Sequence, residues 1–391
     1  MLNNALKLLK DIDNKGFVSY IVGGFVRDYL LGIESNDIDI CTNATPKDIK
    51  EIFKDKCLPS EDYGSVTVQI KGVNYEITTF RQEIGYSDNR HPNEIKYIDN
   101  LEDDLLRRDF TINTICMDKD GYIIDHLGGK KDLDDKIIRT VGNSLDKFNE
   151  DSLRILRALR FATILNFELD EELCEAIKKT KSSLYDLSYS RKKSELDKIF
   201  TSPNFKKGIK LLLDLGLDKE LEIPNLYKVL ETDVTSSIGI WSVLDVGDKY
   251  PFNRNEMDLI EGVNKVVGLD NLNPSVLYKY GLYVNSVAGK IKKDDIKKIT
   301  ETYNNLVIKS RKEINITAEE IMAILDKEPG EYLKEIFDDI EEEILYNRLE
   351  NDKISISEYI KNKYSKRWLY EEICIFIDVI TIPSLCKCRK L

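Results

Sequence analysis

At 391 residues the chain exceeds what one ordinary hydrophobic core fills, so two to four domains are expected. A composition of 42% hydrophobic and 33% charged residues excludes a disordered chain, and no apolar run approaches the length needed to cross a bilayer. The net charge of −12 argues against a tight, non-specific nucleic-acid binder, and only two histidines, His91 and His126, argue against His-rich metallohydrolase chemistry.

The opening segment, MLNNALKLLKDIDNKG, lacks the uninterrupted apolar core of a signal peptide, so a cytoplasmic location is expected. The first third then alternates short strands with turns: VSYIVGG, NDIDICT, GSVTVQI, NYEITTF and YIIDHLGG, all rich in Val, Ile, Tyr and Thr. Thr45-Pro46-Lys47-Asp48 predicts a helix start, with Thr45 as cap and Pro46 at the first position. Lys71-Gly72 predicts the turn of a hairpin. From about Phe148 the apolar spacing is helical almost throughout. Ser202-Pro203-Asn204 and the stretch from Asn304 to Asn315 are the clearest breaks in that part. The fold class is therefore α+β, with a mixed α/β head followed by helices. The seven cysteines are expected to be reduced thiols, because the one close pair, Cys386 and Cys388, has a poor spacing for zinc.

YIVGGFVRDYLLGIESNDIDICTNA carries the densest chemistry. A strand ends at Gly23-Gly24, a helix begins near Phe25, and a second strand carries Asp37-Ile38-Asp39. Two glycines let the backbone approach an anion, and the following helix offers free N–H groups, with Arg27 placed in its first turn. Side chains two apart on a strand share a face, so Asp37 and Asp39 can converge on one hard cation while Ile38 packs behind them. Mg2+ is held by a few carboxylates plus substrate phosphates, which suits a carboxylate pair beside a phosphate cradle. Glu76, on NYEITTF, is the best-placed third catalytic acid.

This stretch resembles the signature of class II tRNA nucleotidyltransferases and of their relatives, the bacterial poly(A) polymerases. LLRRDFTINTICMD (105 to 118) resembles the family's second motif, IIDHLGGKKDL its third, with Asp125 and Gly128-Gly129, and NEDSLRILRALRF (149 to 161) its fourth. YSRKKSELDKIF (189 to 200) is similar to the fifth, with Ser190 and Lys192 where the family usually has Glu and Ile. The TFRQE segment with Tyr86, Asp88, Arg90 and Pro92 resembles the loop of CCA-completing enzymes, and residues 328 to 351 resemble a bacterial CCA-adding tail.

The resemblance implies a nucleotidyltransferase head (1–140), a nucleotide-recognising helical neck (141–204), a helical body (205–305) and a tRNA-binding helical tail (306–391). It assigns nucleotide reading to Asp151 and Arg154. A carboxylate that accepts from an exocyclic amino group and a guanidinium that donates to a ring nitrogen suit the pairing edges of C and A alike. Arg157 and Arg160 would face the triphosphate, Arg108 would touch the nucleotide, and Asp109 would organise the arginines. On a helix, Asp151, Arg154, Arg157 and Arg160 would form a slowly winding stripe, with Leu153, Leu156 and Leu159 on the buried side. The plainer alternative is an Asp151–Arg154 salt bridge on a surface helix. The implied reaction is template-independent addition of C, C and A to tRNA from CTP and ATP, with Mg2+ and release of pyrophosphate. Partial A- or CC-addition, poly(A) synthesis, and a non-catalytic RNA-binding relative are the alternatives.

Overall fold

The computed structural model describes residues 1–59, 64–86 and 92–365. Asp88, Arg90, His91, Cys386 and Cys388 lie outside them. The chain forms two compact units: Met1–Glu231 with Thr235–Phe252, and Thr232–Val234 with the residues from Asn253 onward.

The first unit opens with α1 (Leu2–Asp13), whose Ala5, Leu8, Leu9 and Ile12 recur at helical spacing and are buried. Strand β1 (Ser19–Val22) leads through Gly23 into the short helix α2 (Gly24–Leu30), and β2 (Ile38–Thr42) returns. Helix α3 (Pro46–Phe53) begins with the expected capping box: Thr45 accepts from the Asp48 N–H, and Asp48 accepts from the Thr45 N–H. The hairpin of β3 (Ser65–Ile70) and β4 (Val73–Thr79) turns at Lys71 and Gly72, both with positive φ, as a two-residue turn between right-twisted strands demands.

Two further short strands, β5 (Arg81–Tyr86) and β6 (Pro92–Tyr97), pair as a separate ribbon where the sequence suggested a loop. After α4 (Leu101–Leu106) come β7 (Cys116–Met117) and β8 (Ile123–Ile124). The main sheet runs in the order β3-β4-β2-β1-β7-β8, with only the β2–β4 pair parallel. Alternation explains its layering: Ile38, Ile40, Tyr75 and Ile77 are buried on one face, leaving Asp39 and Glu76 on the other. Val22, Cys41, Phe80, Leu101, Leu105 and Cys116 form a second cluster. Burying each large apolar side chain contributes about 1.5–3 kcal/mol.

YIIDHLGG is not one strand. Its strand stops at Ile124, and Asp125 accepts from the Gly129 and Lys130 N–H groups (both 2.9 Å), capping α5 (Gly129–Asp134). Strand β9 (Ile137–Ile138) follows, pairing in parallel with β10 (Glu168–Leu169). Between them lie α6 (Ser144–Glu150) and α7 (Leu153–Leu165). Helices α8 (Glu171–Thr180), α9 (Tyr189–Phe200) and α10 (Phe205–Asp214) continue the unit, and Ser202-Pro203-Asn204 does separate α9 from α10.

The second unit is helical. Ile336, Ile340 and Ile344 line one face of helix Tyr332–Leu345 and pack with Ile308, Ile321, Ile356 and Ile360. Helix Pro274–Lys292 is broken at Gly281, whose φ of 72° with ψ of 170° is open only to glycine at low cost. Among the described residues no helix is long and apolar enough to cross a membrane.

Candidate active site

The site is built on the β1–α2 turn. Gly23 has φ 83°, and a Cβ there would lie 3.5 Å from Arg108 Nη1 and 3.9 Å from Asp39 Oδ2. A side chain would thus occupy the space between a carboxylate and a guanidinium, besides straining the backbone.

Asp39 lies opposite Val22 on one neighbour and opposite Glu76 on the parallel neighbour β4. Asp37 sits one residue before β2 starts, exposed at its mouth, so the pair spans the strand's entrance. Burial and the negative charges of Asp37 and Glu76 raise the Asp39 carboxyl to about 6, with Arg108 opposing them. Crowded carboxylates of this kind are what a hard cation neutralises, and their oxygen donors suit a divalent ion. Among the described residues no three His, Cys, Asp or Glu side chains form a metal cage.

Arg108 is held from behind by Asp104 (3.4 Å), a fully buried carboxylate that also binds Arg107 and the Arg81 N–H. Among the described residues the Arg108 Nε has no hydrogen-bond partner. Burial disfavours its charge, but surrounding acidic groups, Asp104 and Asp39 among them, keep it firmly protonated.

Arg27 is the fourth residue of the seven-residue α2, and its N–H closes the first turn onto the Gly23 carbonyl. Its guanidinium donates to Asp28 (2.7 and 2.8 Å) and to Asn113 Oδ1 (2.7 Å). Asn113 in turn donates to Asp109 (3.1 Å), and Asp109 accepts from Arg157 Nε (2.8 Å). Burial opposes ionisation of Asp109, yet Arg157, Asn113 and the Phe110 N–H overcome it and hold the carboxyl below its usual range. One hydrogen-bonded chain therefore runs from Arg27 to Arg157.

The helical stripe requires correction. Asp151 is not on the helix: it links α6 to α7 with extended backbone (φ −146°, ψ 108°), and its side chain caps the Leu153 N–H. Nor does it pair with Arg154. Arg191 donates to both its oxygens (3.1 and 3.2 Å), whereas Arg154 binds Glu150 and the carbonyls of Lys147 and Arg107. Arg154 is buried, as are Leu156 and Leu159, while Leu153 is only partly covered. Arg160 Nε lies 2.7 Å from Glu195 Oε2, but neither atom makes a well-directed hydrogen bond. Burial lowers the Arg160 pKa, Glu195 opposes this, and Arg157 and Arg27 reinforce it. In the fifth motif Lys192 is buried against the Tyr189 ring, and burial lowers its pKa.

A cavity of about 470 Å³ is lined by Gly23, Gly24, Arg27, Asp37, Asp39, Arg108, Asp151, Arg154, Arg157 and Arg160. Glu76 stands outside this lining. Sequence reasoning missed Asn113 and Phe161, which also line the cavity. Both lie inside the second and fourth motifs, and that was their only signal.

Residues 19–139 match the family model described as the poly A polymerase head domain. Residues 253–360 match one for tRNA nucleotidyltransferase domain 2, and 166–226 one for an RNA and SrmB-binding site of polymerase A. The CCA-adding enzyme of Staphylococcus haemolyticus is 35% identical, covering 92% of this chain and 98% of its own. That of Bacillus pumilus is 34% identical, over 91% and 96%. The crystal structure of the Bacillus stearothermophilus CCA-adding enzyme in complex with CTP superposes with a TM-score of 0.80 at 27% identity, covering 95% of this chain and 98% of that one. A divalent-metal nucleotidyltransferase head followed by helices, matched over nearly the whole length, leaves one conclusion: the chain belongs to the family of CCA-adding enzymes, the tRNA nucleotidyltransferases.

Proposed function

We propose that this protein adds C, C and A in turn to the 3′ end of tRNA in the cytoplasm, taking CTP and ATP without a nucleic-acid template. The observation that carries this reading is a single cleft holding both a carboxylate pair and an arginine array, with Asp151 and Arg154 in the same lining. The tRNA 3′-hydroxyl attacks the α-phosphorus in line and pyrophosphate leaves, so no covalent enzyme intermediate forms. Asp37 and Asp39 would hold Mg2+, which would supply charge neutralisation at the phosphates and activation of the attacking hydroxyl. Glu76, opposite Asp39, would add negative charge to that centre.

Gly23 and Gly24 let the phosphates approach the backbone. Arg27, Arg157 and Arg160 orient them, and Arg108 contacts the nucleotide between the metal centre and the arginines. Asp151 accepts from the exocyclic amino group of C or A, and Arg154 donates to the ring nitrogen. Arg191 and Glu150 fix the orientation of these two readers. Uracil and guanine present a carbonyl beside a ring N–H, so neither reader gains its hydrogen bond to the base, a loss of about 1.5–3 kcal/mol per charged contact. The tRNA is read by shape and backbone through the helical segments, with the division into head, neck, body and tail proposed from sequence.

The test supplies labelled CTP or ATP separately to tRNAs ending at the discriminator base, after one C, and after two. The first two acceptors should take only CTP and the third only ATP. Use of a single triphosphate on all three acceptors overturns the reading.

A further inference from the structure

Three guanidiniums converge on one aromatic ring. The Cζ atoms of Arg160, Arg27 and Arg157 lie 4.1, 5.0 and 5.5 Å from the centre of Phe161. These arginines come from two distant segments, α2 and α7, and all three line the cleft beside Phe161. The ring is only 8% exposed, and it meets Phe110 edge-on at 5.7 Å and 78°. Phe110 directly follows Asp109, the carboxylate that grips Arg157.

Three neighbouring cations repel one another, and the carboxylates of Asp28, Asp109 and Glu195 beside them offset part of that repulsion. Arg27 and Arg157 have directed hydrogen bonds to Asn113 and Asp109, whereas the contact of Arg160 Nε with Glu195 is poorly directed. For Arg160 the ring face at 4.1 Å adds a second ordering contact beside the Glu195 carboxylate. A guanidinium over an aromatic face gains attraction from the ring quadrupole and keeps its edge N–H groups available for oxygen acceptors. An aliphatic side chain of similar size fills the space without that attraction.

We infer that Phe161 is a positioning residue for the triphosphate: its π-face gathers Arg27, Arg157 and Arg160 into one preorganised phosphate-binding array. The inference rests on the reading of this cleft as the nucleotide site. Preorganisation raises affinity because the ordering cost is met before the ligand arrives.

The experiment measures inhibition of CTP incorporation by inorganic tripolyphosphate, which has the phosphates but no base. In the full-length protein, tripolyphosphate competes with CTP; Phe161→Leu weakens that inhibition by roughly ten-fold, and Phe161→Tyr stays within about two-fold of the parent. Replacing Phe161 with mono-, di- and trifluorophenylalanine drains the ring's electron density at nearly constant size, and affinity should fall stepwise with each fluorine. Thermal unfolding identifies a misfolded leucine variant, in which case the fluorinated series decides. Flat or rising affinity across that series overturns the positioning role. Failure of tripolyphosphate to compete in the parent overturns the underlying reading of the cleft, a separate result.

Discussion

Arg191 holds both carboxylate oxygens of Asp151, at 3.1 and 3.2 Å, across 40 residues of sequence. Because Asp151 sits on extended backbone between two helices, this clamp and the Leu153 N–H fix where its carboxylate points. Asp151→Ala removes the acceptor for the amino group of C and A. The kcat/KM for CTP and ATP should fall about 10- to 100-fold, with UTP and GTP little changed. Arg191→Met keeps the acceptor but frees it, so its loss should be smaller. Competition between labelled triphosphates measures both, and an equal loss for all four bases contradicts base reading by Asp151.

Asp39→Ala should lower transfer at least 1,000-fold, on the order of what a lost electrostatic catalytic group costs, while tripolyphosphate inhibition constants measured on CTP binding change only several-fold. Glu76→Ala should cost less, roughly 10- to 100-fold, because Glu76 lies opposite Asp39 but outside the cleft lining. Single-turnover rates separate the two, and a larger effect at Glu76 would reverse their assigned roles.

Without a divalent ion, ionised Asp39 destabilises the fold. Its carboxyl is raised from 3.8 to about 6 by burial and by Asp37 and Glu76. As pH rises from about 4 to about 6, the unfolded chain has already released this proton and the folded chain still holds it. Stability therefore falls across that window, and the deficit, at most ~3 kcal/mol, is complete above about pH 6. Asp39→Asn should raise the unfolding temperature of the metal-free protein by several degrees at pH 7.5 and by nothing near pH 4. The same proton competes with the cation, so Mn2+ affinity should weaken about ten-fold per pH unit below about 6. Calorimetry at pH 5, 6 and 7 checks this, and pH-independent binding would contradict it.

Gly129 packs so closely that a Cβ would stand 2.1 Å from the Thr111 carbonyl oxygen and 2.9 Å from Ile115 Cγ1. That contact is with backbone, so the segment carrying Asn113 must shift. Gly129→Ala should cost about 3 kcal/mol or more in denaturant unfolding and should loosen the Arg27–Asn113–Asp109 chain. Unchanged stability would show that α5 tolerates displacement.

Features legible in the sequence were those in which chemistry and spacing coincide locally. The Gly23-Gly24 turn, the Thr45–Asp48 cap and the Lys71-Gly72 hairpin each need only neighbours in the chain, and each stands where expected, whereas Asp37 falls just before the strand that carries Asp39. The family resemblance gave Asp109 the task of organising the arginines, but the individual pairs were not legible, because Arg27–Asn113, Arg157–Asp109 and Asp151–Arg191 join residues 86, 48 and 40 positions apart. Nothing in a local pattern marks such pairs. Strands β5 and β6 escaped because RQEIGY and PNEIKY each carry only two large apolar residues, too few to set a two-residue period, and β7 because two residues carry no period.

The most direct test offers one tRNA ending at the discriminator base all four triphosphates at once and sequences the 3′ ends produced. The account predicts products that grow by C, C and A and then stop, with G and U excluded by Asp151 and Arg154. Ends bearing G or U, or tails extending beyond the third nucleotide, would contradict it.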